Sequence, residues 1–169
     1  SAAWSGQSCT TWFGHVTGPD YSVQGNMLVG ESTIKAMASA FEASAPLSLP
    51  ERLVLVLEAG QKAGGDKRGR QSAALLVYKT ESYPYLSLRV DEHAYPVAEL
   101  RRIFEVARQQ LLPFVDGMPS RKDPLGALPK EINGVRVVGI DVPGFGVPTH
   151  AEAKDVLAGA MLNYARLEA

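Results

Sequence analysis

The chain has 169 residues and a net charge of -1, which suits one domain, or one domain with a C-terminal extension, and argues against nucleic acid or another polyanion as partner. No apolar run approaches the roughly 18 residues that a bilayer-spanning helix needs. The single cysteine, Cys9, cannot form an internal disulfide, and no Cys/His group has zinc-site spacing, so no metal is expected and a reducing cytoplasm is the default compartment. The sequence opens on Ser1 rather than Met, so it reads as cut or processed upstream.

Residues 1–5 and 9–16 read as strands separated by a turn at Gly6. Gly18-Pro19-Asp20 is a turn signal, and residues 21–28 form a further strand interrupted by Gly25. From Glu31 the period changes: Ile34, Met37, Ala38 and Phe41 fall on one helical face, and that helix ends near Ser44, before Pro46. Ser48-Leu49-Pro50-Glu51 has the form of a capping box with proline just inside. The apolar run Leu53-Val54-Leu55-Val56-Leu57 suits a buried strand by composition, but the cap before it and Gly64 after it predict a helix.

Residues 72–80 and 85–90 follow as apolar strands. Pro96 opens a helix with Val97, Leu100, Phe104, Ala107 and Leu111 at helical spacing, which leaves Arg101, Arg102, Arg108 and Gln109 to the solvated face. Residues 113–131 are rich in proline, glycine and charge and read as a linker or an ordered loop. Residues 132–169 hold a short strand after an Asn133-Gly134 turn, then a second capping box at Thr149-His150-Ala151-Glu152 opening a final helix. Strands, two consecutive helices, strands and one helix imply a layered α+β domain rather than alternating βαβ units.

Between the second helix and the third strand lies Gly64-Gly65-Asp66-Lys67-Arg68-Gly69-Arg70-Gln71-Ser72, three glycines among four charges. Together with Tyr21-Ser22-Val23-Gln24-Gly25-Asn26-Met27-Leu28 and with Leu88-Arg89-Val90-Asp91 followed by Pro96-Val97-Ala98-Glu99-Leu100-Arg101-Arg102, it resembles the signature of the domain of unknown function 1028 family, over residues 1 to about 111. That family resembles the N-terminal-nucleophile hydrolases. The resemblance implies a helix-sheet-sheet-helix sandwich, here completed by upstream strands or a partner chain, because Ser1 aligns with the middle of the family domain.

The chemistry implied is hydrolysis of a small amide or peptide bond without a cofactor. In such enzymes the first residue of the mature chain is the nucleophile and its own α-amine, with a pKa of roughly 7.7–8.0, is the base. Ser1 takes that role if a precursor is cleaved before it; otherwise it is the remnant of a protease site. Asn26 is the candidate oxyanion donor, with Gln24 next; the alternative is that Asn26 closes a strand or turn through its own backbone. His15 is a candidate substrate contact or a structural histidine. Arg70 either holds a substrate carboxylate, oriented by Asp66, or joins Asp66, Lys67 and Arg68 in an ion network that locks the loop. The alternative to the hydrolase is a non-catalytic binding or assembly domain of the same fold, a homo-oligomer or one partner of a second chain. Trp4 and Trp12 are expected as core or interface anchors.

Overall fold

The computed structural model describes residues 1–123, 126, 131–132 and 135–136. The chain divides after Leu112 into two compact units, Ser1–Leu112 and Pro113–Ala169.

The first unit begins without regular structure: the strand expected over residues 1–5 does not form, and Trp4 is 86% exposed, so it is not a core anchor. A two-stranded antiparallel sheet pairs β1 (Gly14–Thr17) with β2 (Ser22–Gly25), closed by Gly18 N–H donating to the Tyr21 carbonyl at 2.9 Å. Both strands are shorter than their sequence pattern suggests, because residues 10–12 and 27–29 leave the sheet for other partners. Then come α1 (Glu31–Ala43) and α2 (Leu49–Lys62), each starting where its signals place it. The Ser48 hydroxyl, however, makes no capping bond; its backbone carbonyl accepts from Arg52 N–H instead. Proline in the first turn of α2, with its φ already helical and no N–H to satisfy, sets the entry in its place.

One face of α1 presents Ile34, Met37 and Ala38 to Val23, Val16, Trp12 and Leu28 and makes the smaller of two apolar cores. Its end is held by Arg52, whose guanidinium lies 3.7 Å over the Phe41 ring and donates to the Phe41 carbonyl at 2.9 Å. The two helices pack closely where Gly60 faces Met37; a Cβ there would sit 2.8 Å from the methionine Sδ.

The larger core lies on the other side of α2. A second antiparallel pair, β3 (Ala73–Val77) and β4 (Leu86–Val90), buries Leu75, Val77, Leu86 and Val90 against Val54 of α2 and against Leu100, Phe104 and Ala107 of α3 (Pro96–Asp116). Alternation is strict: Ala74, Leu76, Ser87 and Arg89 point the other way and are exposed. The first sheet packs its apolar side chains in one cluster and the β3–β4 pair buries one face in the other, so the described residues form a mixed helix and antiparallel-sheet fold.

Two expectations for α3 are corrected. The helix runs through Pro113 to Asp116, so the linker does not start at 113. Pro113 is exposed in the last turn, where the N–H it lacks would have served the carbonyl of exposed Gln109, which water can reach. Leu111 is 41% exposed and Leu112 takes the core position.

Arg101, in turn, is not on the wet face. It bridges α3 to α2, donating to Glu58 at 2.8 and 3.1 Å and to Glu51 at 2.5 Å, with Glu105 at 3.3 Å. These carboxylates raise its already high pKa further.

In the second unit, β5 (Glu131–Ile132) pairs antiparallel with β6 (Val135–Arg136), which leaves a two-residue connection at 133–134, where the sequence places Asn-Gly. The expected final helix lies outside the described residues.

The three-carboxylate cluster around Arg101 predicts a contrast within α3. Arg101→Met should cost about 2 kcal/mol, between the small value of an exposed pair and the 3–5 kcal/mol of breaking a fully buried one, because three carboxylates are left facing each other. Arg102→Met, which removes only the exposed pair with Glu99, should leave the urea midpoint unchanged.

Candidate functional site

The charged glycine loop is a seam before it is anything else. Residues 27–29 run between two other stretches of backbone. On one side Met27 N–H donates to the Thr10 carbonyl at 3.2 Å and Leu28 N–H to the Trp12 carbonyl at 3.0 Å. On the other, Lys67 N–H donates to the Met27 carbonyl at 2.8 Å and Val29 N–H to the Gly65 carbonyl at 3.1 Å, with Leu28 and Asp66 bridged antiparallel. Lys67 crosses the strip and donates through Nζ to the Thr11 carbonyl. Gly64 permits the approach: its φ of +115° is a region side chains rarely adopt, and a Cβ there would lie 2.3 Å from Val29 Cγ2.

Within the loop, Asp66 pairs with Arg68 rather than Arg70. It accepts from the Arg68 backbone N–H at 2.8 Å and from its guanidinium at 2.6 and 3.0 Å. These bonds hold the Asp66 carboxyl down at about 2. Arg70 makes no ion pair among the described residues. Its guanidinium lies 5.4 Å over the ring of Tyr95, a residue absent from the sequence-derived set. The set of four charges therefore splits: three lock the loop and one is left for something else.

Arg70 and Tyr95 line a cavity of about 270 Å³ with Glu58, Gln61 and Lys62 from the end of α2 and Val97 and Ala98 from the start of α3. The turn carrying Tyr95 is tied to the residue after Arg70: His93 N–H donates to the Gln71 carbonyl at 2.9 Å, Gln71 Nε2 to Glu92 at 3.0 Å, and Tyr95 N–H to His93 Nδ1 at 2.9 Å. The clue in the sequence is position: residue 95 directly precedes the proline that opens α3, and residue 70 lies three positions before β3.

The other candidates lie elsewhere. His15 and Gln24 are cross-strand partners on the exposed face of the first sheet, and His15 Nδ1 meets the Ser5 hydroxyl at 2.7 Å, a partner the sequence did not single out. Asn26 is exposed in the turn before Met27, whose φ is +57°. Ser1 is exposed, and its α-amine donates to the Gly18 and Pro19 carbonyls at 3.4 and 3.3 Å. Cys9 is half-buried and free. No three His, Cys, Asp or Glu side chains of the described residues cluster as metal ligands would, and no helix among them is long and apolar enough to cross a membrane.

Residues 1–100 match the model of a family of unknown function, DUF1028, and the chain belongs to that family. The crystal structure of a DUF1028 protein from Silicibacter pomeroyi is similar, with a TM-score of 0.62 and 31% identity, over 72% of this chain and 54% of that one. Two curated relatives are named as the 52.5 kDa chain of chlorophyllide reductase. The Cereibacter sphaeroides protein is 50% identical over 102 residues, 59% of this chain, and the Rhodobacter capsulatus protein is 87% identical over 45 residues, 27% of this chain. The chain spans only 19% and 9% of those two proteins.

The Asp66–Arg68 lock carries a pH signature. The folded Asp66 carboxyl titrates at about 2, below the roughly 3.9 of an unfolded aspartate, so its contribution is complete above about pH 4 and is lost as pH falls toward 2, where the unfolded chain binds the extra proton. Urea midpoints of the native chain and Asp66→Asn should therefore differ most near neutral pH and converge across that window.

Proposed function

We propose, from membership of this family and from the open faces of its two sheets, that the chain is a binding and assembly domain, completed into a layered helix-sheet-sheet-helix sandwich by strands that a second chain or a second copy supplies. The observation that carries this is the outer face of β3. Ala74, Leu76 and Tyr78 alternate outward, and Leu76 and Tyr78 are 56% and 53% exposed. Two-stranded antiparallel pairs are marginal alone, and an apolar strand with a free edge is a template for further pairing.

The reach of the similarity agrees. The chain covers 54% of the solved family member, so nearly half of that protein has no counterpart in the matched part of this chain. Two relatives carry the name of one chain of a reductase, which also fits a role inside an assembly.

A second reading is amide-bond hydrolysis by a chain released by cleavage before Ser1. It draws on the α-amine of Ser1 being held in place by the Gly18 and Pro19 carbonyls, with a Ser5–His15 contact on the same stretch of chain. Ser1→Ala separates the readings, since it leaves assembly intact and removes turnover under the second alone.

The assembly reading predicts concentration-dependent self-association in sedimentation velocity when the completing strands are absent, and its loss in Leu76→Lys with the far-ultraviolet circular dichroism unchanged. A chain that stays monomeric at all concentrations, or one whose self-association ignores Leu76→Lys, contradicts it.

A further inference from the structure

We propose that the cleft between the end of α2 and the start of α3 binds a small organic carboxylate with a flat apolar body, with Arg70 as the residue that reads the charge. The inference does not depend on the assembly reading, because none of its residues belongs to the β3 face.

The first support is a ledger of charges. Glu58 in the lining is bonded by Arg101, and on the neighbouring segments Asp66 is paired with Arg68, Asp91 with Arg89 and Glu99 with Arg102, while Glu92 accepts from Gln71 Nε2. Of the cations that line the cavity, Lys62 and Arg70 have no ion pair among the described residues. Within the lining itself positive charge therefore exceeds negative, Lys62 and Arg70 against Glu58, although the chain as a whole carries -1. Glu58 is the one carboxylate in the lining, and Arg101, which it shares with Glu51 and Glu105, donates to both of its oxygens.

The second support is shape. The cavity, at about 270 Å³, lies just below the roughly 300–1,000 Å³ of pockets for drug-sized ligands, which limits the occupant to a small molecule. Its lining combines the Tyr95 ring, Val97, Ala98 and the aliphatic stem of Lys62 with few polar groups. A hydrated phosphate, with oxygens on every side, would leave most of them facing apolar surface; a flat acid offers one charged end and an apolar body. The Arg70 guanidinium lies 5.4 Å from the Tyr95 ring centroid, within cation–π range, and carries the paired donors that match a carboxylate. Gln61 adds an amide within the same lining.

The third support is rigidity. Arg70 and Tyr95 are 25 positions apart in the chain but sit on two segments tied together by Gln71, through its carbonyl to His93 and its side chain to Glu92. Behind Arg70 the loop is fixed by the Asp66–Arg68 lock and by the seam to residues 27–29. A side chain carried on a backbone held in this way adds little loop ordering to the cost of binding, which favours affinity.

The test is an amide-resolved NMR titration of the full chain with benzoate as the probe, beside benzamide and inorganic phosphate. Benzoate is expected to give saturable shifts at Tyr95, Val97 and Ala98, with benzamide and phosphate weaker. Arg70→Gln should weaken benzoate at least roughly tenfold, as loss of a charge-assisted bidentate contact would, and Arg70→Lys should restore part of it. Tyr95→Leu should weaken it while leaving the preference for benzoate over benzamide. Shifts that do not saturate, equal binding of benzamide, tighter binding of phosphate, or indifference to Arg70→Gln would each overturn the proposal. Arg70 is exposed and makes no hydrogen bond among the described residues, so its replacement tests the ligand and not the fold.

Discussion

Everything that this chain presents to a partner is positioned by one strip of backbone, residues 27–29, bonded on both edges. Four main-chain hydrogen bonds, each worth net about 0.5–1.5 kcal/mol, join segments that the sequence keeps far apart: residues 10–12, 27–29 and 65–67. The strip connects the two apolar cores. On its N-terminal side stands the sheet that packs on α1, and on its C-terminal side the chain leaves for β3 and the larger core. Gly64 is required because the helix α2 must end and turn back against Val29 within a single residue, at a backbone angle that other residues rarely adopt. Lys67, a residue whose charge suggests solvent or a ligand, is spent on the Thr11 carbonyl across the strip.

The local elements were legible where local physics fixes them. Period and proline placed α1, α2 and the start of α3, and apolar runs placed β3 and β4. What failed was decided at long range. Residues 10–12 and 27–28 read as parts of longer strands because nothing nearby shows that their hydrogen bonds go to each other and to residues 65–67 instead of along a hairpin. Arg101 was assigned to solvent because a single helix was considered alone. The missing signal lay on α2, where Glu51 and Glu58 stand seven residues apart and thus on one face, aimed at whatever packs there. The Ser48 hydroxyl has the right type for a cap and does not make the bond, since proline and the Arg52 N–H already define that turn.

The candidate site was partly legible for the same reason. That residues 64–72 mattered could be read from glycines among charges, but the division of labour among the charges could not. Asp66 lies two residues from Arg68 and four from Arg70, and the nearer guanidinium takes both the carboxylate and the turn, which leaves Arg70 unmatched beside an aromatic ring from another element. Ser1, Asn26, Gln24 and His15 follow the first sheet and its connections, separate from the residues that line the cleft. The chain thus shows an exposed apolar face on β3 and a cleft in which Lys62 and Arg70 have no ion pair among the described residues. That description is coarser than a reaction but tied to particular atoms.

The account stands on the claim that the strip at 27–29 is part of the cooperative core and not a surface contact. Native-state hydrogen exchange measures this directly. The amides of Leu28, Val29 and Lys67 should exchange with the same opening free energy as those of Leu75 and Val77 in the larger core, because breaking the strip separates the two cores. Exchange of those three amides through a much cheaper local opening, while Leu75 and Val77 stay protected, would contradict it.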